Sequence, residues 1–357
     1  MSADPLFAPL NMGALALPNR ILMAPLTRCR AEDDHVPAPL MAEYYAQRAS
    51  AGLIIAEATM AMAGHSAFWR EPGVWSPAQI DGWARVTQAV HDRGGRIALQ
   101  IWHGGRACHP LLNDGATPVG PSAIAINGSV MTPAGMQPYV TPRALADDEL
   151  PGIVAGFAQA ALNARAAGFD AVEVHGANGY LLDEFLRDGA NQRVGPYGGP
   201  IENRARLLLE VVEAVVKVVG ADRVGLRISP LNSYNSMRDS DPAGLTAWLA
   251  ERLNDYGLAF LHVMRADFAG PASVDVMTPA RAHFRGRLIG NMGYDAQEAA
   301  AAIRDGKLDA VAFGVPFLAN PDLPARLRAK APLNAPDPAT FYTPGAKGYT
   351  DYPTLAG

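Results

Sequence analysis

A chain of 357 residues with 49% hydrophobic and 18% charged side chains is long enough for one large barrel core or two smaller ones. Its net charge of −5 leaves no electrostatic footprint for nucleic acid or an anionic membrane, and no apolar run reaches bilayer length. Two cysteines, Cys29 and Cys108, are too few for a disulfide framework and suit a reducing cytoplasm, and residues 1–5 carry no basic-then-apolar leader.

Eight short apolar or β-branched segments follow in order, at 20–24, 53–58, 96–102, 171–174, 223–228, 260–264, 287–290 and 310–314. Stretches with the three-and-four apolar spacing of a helix lie between most of them, at 38–50, 78–92, 152–167, 202–219, 243–256 and 295–305. Trp83, Val86 and Val90 mark one face of the second, and Gly52, Gly94, Gly168, Gly220, Gly257 and Gly306 stand where several should stop. This alternation predicts a parallel sheet. Eight units with no break in composition fit a single closed (β/α)8 barrel over 1–357 better than two doubly wound domains. Three regions fall outside the repeat. Residues 5–18 read as a cap over the barrel floor. Residues 104–148, rich in Gly, Pro, Ser and Thr, read as a long lid or loop after the third strand, and the tail from 332 reads as packed on the barrel.

The strand ends carry the chemistry, because ligands bind at the C-terminal edge of a parallel barrel. The fourth strand runs into His175-Gly176-Ala177-Asn178-Gly179-Tyr180, which offers two adjacent donors and a phenol. Such a group suits gripping a carbonyl or nitro oxygen while protonating the carbon beside it. Other strand ends deliver Ala24-Pro25-Leu26-Thr27, Ala58, Gln100 and Arg227, a set of hydrogen-bonding groups for the edges of a flat heterocycle. The seventh and eighth end in Asn291-Met292-Gly293 and Gly314-Val315, where glycines let backbone amides approach a phosphate. Together they describe a flavin mononucleotide site. Neither a lysine nor a pair of carboxylates stands at these ends, against an aldolase, and no metal ligand set is read.

Several motifs recur in a recognisable order: Met23-Ala24-Pro25-Leu26-Thr27-Arg28, Gln100-Ile101-Trp102-His103-Gly104-Gly105-Arg106, Asn178-Gly179-Tyr180-Leu181-Leu182-Asp183-Glu184-Phe185-Leu186, Tyr197-Gly198-Gly199 and Ala319-Asn320-Pro321-Asp322-Leu323. With them the chain resembles the Old Yellow Enzyme family of flavin-dependent, N-ethylmaleimide reductase-like ene-reductases over essentially its whole length. Thr27 stands where the thermophilic-like branch carries cysteine, which leaves Cys29 as structural. The resemblance implies non-covalent FMN, reduced by NADPH or NADH, and hydride transfer from flavin N5 to the β-carbon of electron-poor alkenes such as enones, enals, maleimides and nitroalkenes. By position, Thr27, Ala58, Gln100 and Arg227 should border the flavin, His175 and Asn178 should hold the substrate oxygen, and Tyr180 should protonate the α-carbon. Trp102, Phe68 and Tyr342 should shape the substrate pocket. A cytoplasmic protein is the expectation from its cysteine usage, as a monomer or homodimer. Xenobiotic nitro or nitrate-ester reduction on the same scaffold is the alternative, and a weak flavin-binding carrier is the reading from outside enzymology.

Two departures stand out. The family's eighth strand normally ends Phe-Gly-Arg, the Arg clamping the FMN phosphate, and this chain reads Phe313-Gly314-Val315. Weaker FMN retention is the expectation, with Arg281 and Arg285 as candidate substitutes. The short segment 231–241 after the fifth strand is expected to open one side of the pocket.

Overall fold

Eight parallel strands close on themselves in the computed structural model, which describes residues 4–268, 270 and 274–355. Part of the leader reading, residues 1–3, lies outside the described residues. The strands are β1 (Ile21–Met23), β2 (Ile54–Met60), β3 (Ile97–Trp102), β4 (Ala171–Gly176), β5 (Val224–Ile228), β6 (Phe260–Met264), β7 (Arg287–Asn291) and β8 (Ala310–Phe313). The ring closes where Ala312 of β8 pairs with Leu22 of β1. The connecting helices are α1 (Pro39–Gln47), α2 (Pro77–His91), α3 (Leu150–Ala166), α4 (Arg206–Val219), α5 (Pro242–Leu253), α6 (Met277–His283), α7 (Ala296–Arg304) and α8 (Leu323–Ala329). The (β/α)8 expectation is met, with strand ends shifted by a residue or two.

The differences have local causes. The expected helix 202–219 is two, Ile201–Arg204 and α4, joined at Ala205. The sequence reading missed α6 and α8, each of which carries a proline in its first turn, Pro279 and Pro324. Proline there removes only an N–H that has no intrahelical acceptor, so it starts these helices instead of breaking them.

Because side chains alternate along a strand, each strand has a helix-facing and a barrel-facing row. On β3, Ile97, Leu99 and Ile101 join the outer core with the helices, while Ala98, Gln100 and Trp102 take the other face. At the barrel floor the inward row is apolar: Leu22, Leu53, Ile55, Ala98, Phe260, Ile289 and Ala310. The antiparallel hairpin of Leu10–Met12 and Leu15–Leu17 adds its own buried leucines to this cluster, as the floor-cap expectation has it. Phe260 fills the floor opposite Gly225. A Cβ on Gly225 would lie 2.1 Å from the Phe260 ring, so the glycine is what makes room for it.

The excursion after β3 packs along the barrel: Ile126 is buried beside Trp102 and Tyr180, with Tyr139 against the same cluster. The tail is tied down by buried cations. Arg28 donates to the carbonyls of Phe341 and Gly348, and Arg48 to those of Leu318 and Tyr349, while the Tyr349 ring stacks on Tyr44 at 3.9 Å. These bonds bring Phe341 and Tyr342 to the barrel mouth. Among the described residues no helix is long and apolar enough to cross a membrane.

Candidate active site

A cavity of about 520 Å³ opens at the C-terminal ends of the strands, within the usual size of a small-molecule site. Its walls bring together Ala24, Pro25, Leu26, Thr27, Ala58, Phe68, Gln100, His175, Asn178, Tyr180, Arg227, Asn291, Met292, Gly293, Gly314, Val315 and Tyr342. Every site residue read from the sequence is in this wall except Trp102. That indole is fully buried one layer behind it, with the Tyr180 ring edge-on at 4.3 Å and Phe68 at 6.1 Å, so it supports the wall and does not line it.

The loop after β4 sets the donors. Asn178 has φ 59°, a left-handed conformation that asparagine tolerates, and Gly179 follows at φ 71°. A Cβ on Gly179 would lie 2.6 Å from Met237, so this tight turn needs glycine. The N–H of Ala177 donates to His175 Nδ1 at 3.2 Å, which leaves Nε2 carrying the proton of the neutral ring. Burial, with Arg227 and His262 nearby, holds this imidazole well below the usual histidine range, so it is a neutral donor. Tyr180 starts the short helix Leu181–Leu186, its ring 5.2 Å from that of His175. Burial pushes its hydroxyl well above the usual tyrosine value, so it stays protonated.

Below these donors the inward row turns polar. Gln100 pairs with Glu173 across β3 and β4, and its Nε2 donates to Glu173 Oε1 at 2.7 Å. His262 Nδ1 lies 2.7 Å from the other carboxylate oxygen. On the far side Arg227 donates to Asn291 Oδ1 at 2.8 Å, and Asn291 donates to the Ala312 carbonyl. The Glu173 contact commits the Gln100 NH2 sideways and leaves its carbonyl oxygen for the cavity. A register shift in β2 between Ala56 and Thr59 lies where Ala58 meets the cavity, the usual effect of a bulge being to re-aim a side chain.

The NADH:flavin oxidoreductase / NADH oxidase family matches residues 5–334. A probable flavin mononucleotide-dependent alkene reductase of Leishmania infantum is 51% identical, over 99% of this chain and 98% of its own. The structure of the old yellow enzyme homologue from Zymomonas mobilis superposes with a TM-score of 0.95 at 45% identity, covering 98% of this chain and 99% of that one. The chain belongs to the Old Yellow Enzyme family. Morphinone reductase is equally similar in structure, with a TM-score of 0.95 at 48% identity over 100% of this chain and 98% of its own, and it has also been solved with tetrahydroNAD. This Old Yellow Enzyme is therefore an FMN-dependent oxidoreductase driven by a nicotinamide reductant.

The cavity fits FMN. Ala24, Ala58 and Ala312 put only methyl groups on the wall, and Arg227 is a buried cation whose Nε has no partner among the described residues. An unpaired buried donor of this kind is costly unless a ligand accepts from it.

Val315, which stands where the resemblance leads one to expect the phosphate-clamping Arg, opens the short helix Val315–Ala319 and is 40% exposed on the cavity wall. Arg281 does not replace the missing arginine. It pairs with Asp309 and donates to the carbonyls of Phe284 and Gly286, before the start of β7, at the floor. Arg285, whose N–H donates to Asn254, sits at the same end. Among the described residues, Arg265, just past β6, is a cation close to the loop after β7: it donates to the Met292 carbonyl, pairs with Glu298, and lies 3.8 Å from where a Gly293 Cβ would be. Arg265 and Phe268 both follow the sixth strand, the one strand end for which no site residue is expected from the sequence. An aromatic four residues beyond a strand end was the available signal. Tyr234 is likewise not among the expected residues. The segment 231–241, expected to open one side of the pocket, supplies part of its wall: Tyr234 lines the cavity edge-on to Phe268 at 5.8 Å. Cys29 and Cys108 are free and buried, and burial raises both thiols.

Proposed function

We propose that this chain saturates the carbon–carbon double bond of electron-poor alkenes, with His175 and Asn178 holding the activating oxygen and Tyr180 supplying the proton. The observation that carries this reading is the convergence of two neutral donors and a protonated buried phenol on one cavity wall. Thr27, Ala58, Gln100 and Arg227 would border the flavin ring, and the backbone at Asn291, Met292, Gly293, Gly314 and Val315 would meet its phosphate. FMN, once bound, supplies hydride chemistry that no side chain offers.

The protein's own part is positional and electrostatic. Hydrogen bonds from His175 Nε2 and the Asn178 amide to a carbonyl oxygen draw electron density from the conjugated double bond and stabilise the charge that develops there. Saturation needs one proton at the α-carbon, and Tyr180, kept protonated by burial, delivers it. The Arg227 guanidinium is the fixed positive charge for an anionic reduced cofactor. A carbonyl, imide or nitro oxygen satisfies the same pair of donors, so electron-poor alkenes as a class are the substrates. A cytoplasmic setting accords with two buried free thiols.

The test is an anaerobic visible spectrum of the FMN-loaded protein. Bleaching of the oxidised-flavin band by NADPH or NADH, and its return on adding 2-cyclohexenone, is the expected result. Flavin that bleaches and stays bleached with the enone contradicts alkene reduction.

A further inference from the structure

We propose that Asn232 is a positioning residue that sets which end of the Asn178 amide faces the cavity. The proposal rests on the reading of Asn178 as a holder of the substrate oxygen. An asparagine amide presents a donor or an acceptor depending on a half-turn about its last bond, and only the donor helps a carbonyl or nitro oxygen. Something must therefore fix the half-turn.

The segment after β5 does so through a chain of forced choices. Asn232 is fully buried, and its Oδ1 accepts the backbone N–H of Tyr234 at 3.3 Å and that of Phe268 at 3.4 Å. A backbone N–H can only donate, so the carbonyl end of the Asn232 amide must face these two groups. Its Nδ2 then points the other way and donates to Asn178 Oδ1 at 2.8 Å. The Asn178 oxygen is thereby occupied, which leaves the Asn178 NH2 as the end of that amide for the cavity it lines.

Both backbones are pinned, so neither amide escapes by moving. The Asn178 N–H donates to Ser229 Oγ at 2.7 Å, and its carbonyl accepts from Asn235 Nδ2 at 3.1 Å. The Asn232 carbonyl accepts from Arg187 at 2.6 Å, and its N–H donates to the Ser229 carbonyl. The logic parallels the fixing of His175, whose tautomer is chosen by the Ala177 N–H. Here the choice passes through one more side chain, and two N–H groups, one beyond β5 and one beyond β6, determine a donor beyond β4.

Asn232→Asp tests this in the FMN-loaded full chain. Aspartate keeps the acceptor that Tyr234 and Phe268 need but turns a second oxygen on Asn178, which must then rotate and present its own oxygen to the cavity. The expected result is a KM for 2-cyclohexenone raised ~30-fold, with the dissociation constant of cyclohexanone by calorimetry raised alike and the flavin content kept. In an Asn178→Ala background, where no amide remains to turn, Asn232→Asp should add nothing. If Asn178→Ala raises KM and Asn232→Asp leaves it unchanged, the positioning role is overturned while the reading of Asn178 survives. If Asn178→Ala itself changes nothing, that reading fails and the proposal falls with it. Should Asn232→Asp not hold FMN, Asn232→Leu takes its place: without the donor either amide end can face the cavity, and KM should rise about two- to five-fold. An unchanged KM in that variant contradicts the proposal.

Discussion

On β6, Phe260 and His262 point into the barrel one layer apart, and the layers are made of different chemistry. Around Phe260 lie Leu22, Ile55, Ala98 and Ile289, all buried and apolar. Around His262 lie the Glu173 carboxylate and, in strand register, Arg227, with Gln100 on the far oxygen of the same carboxylate. The apolar layer needs only volume and gains from every contact. The polar layer holds buried polar groups that persist because they meet one another: the Glu173 carboxyl meets Gln100 and His262, and Arg227 meets Asn291. One step of two residues along a strand thus separates the apolar floor of the barrel from the layer in which Gln100 and Arg227 border the cavity. Damage to the two layers should read out in different measurements.

The largest effect belongs to the floor. Phe260→Ala should lower unfolding free energy by ~3–5 kcal/mol, because the ring is fully buried and Gly225 opposite cannot fill the space. Its KM for 2-cyclohexenone at a temperature where the variant stays folded should remain within about two-fold, since the lesion lies below the polar layer. Chemical denaturation alongside steady-state kinetics checks both, and a large KM change with little loss of stability would erase the distinction drawn here. A smaller effect of opposite kind belongs to the mouth. Val315→Arg places a cation at the phosphate end, and it should tighten FMN binding ~10-fold, about 1.4 kcal/mol, without raising the stability of the apoprotein. Fluorescence titration of apoprotein with FMN measures this, and an unchanged dissociation constant means that Arg265 or the backbone already suffices.

The sequence made the barrel legible because eight buried strands alternate with helices, and period-two alternation fixes which residues share a face. It made most of the site legible because polar residues at buried strand ends have few other uses. What it hid depends on contacts across the chain. Trp102 belongs to a strand end, yet only the packing of Tyr180 and Phe68 against it puts it behind the wall. The 231–241 segment is short and polar, and its role as a wall exists only once Tyr234 meets Phe268 from the neighbouring strand end. Asn232 carries no motif at all. Its effect follows from which atoms face it.

The central claim is that the group beyond β4 delivers the proton as well as holding the oxygen, and Tyr180→Phe probes it most directly. Pre-reduced FMN enzyme is mixed anaerobically with 2-cyclohexenone in a stopped-flow cell, and the rate of flavin reoxidation is followed. Loss of a positioned general acid should slow reoxidation by ~10²-fold or more, with the rate of flavin reduction by nicotinamide little changed. Reoxidation as fast in Tyr180→Phe as in the parent would contradict the account and move the proton source elsewhere.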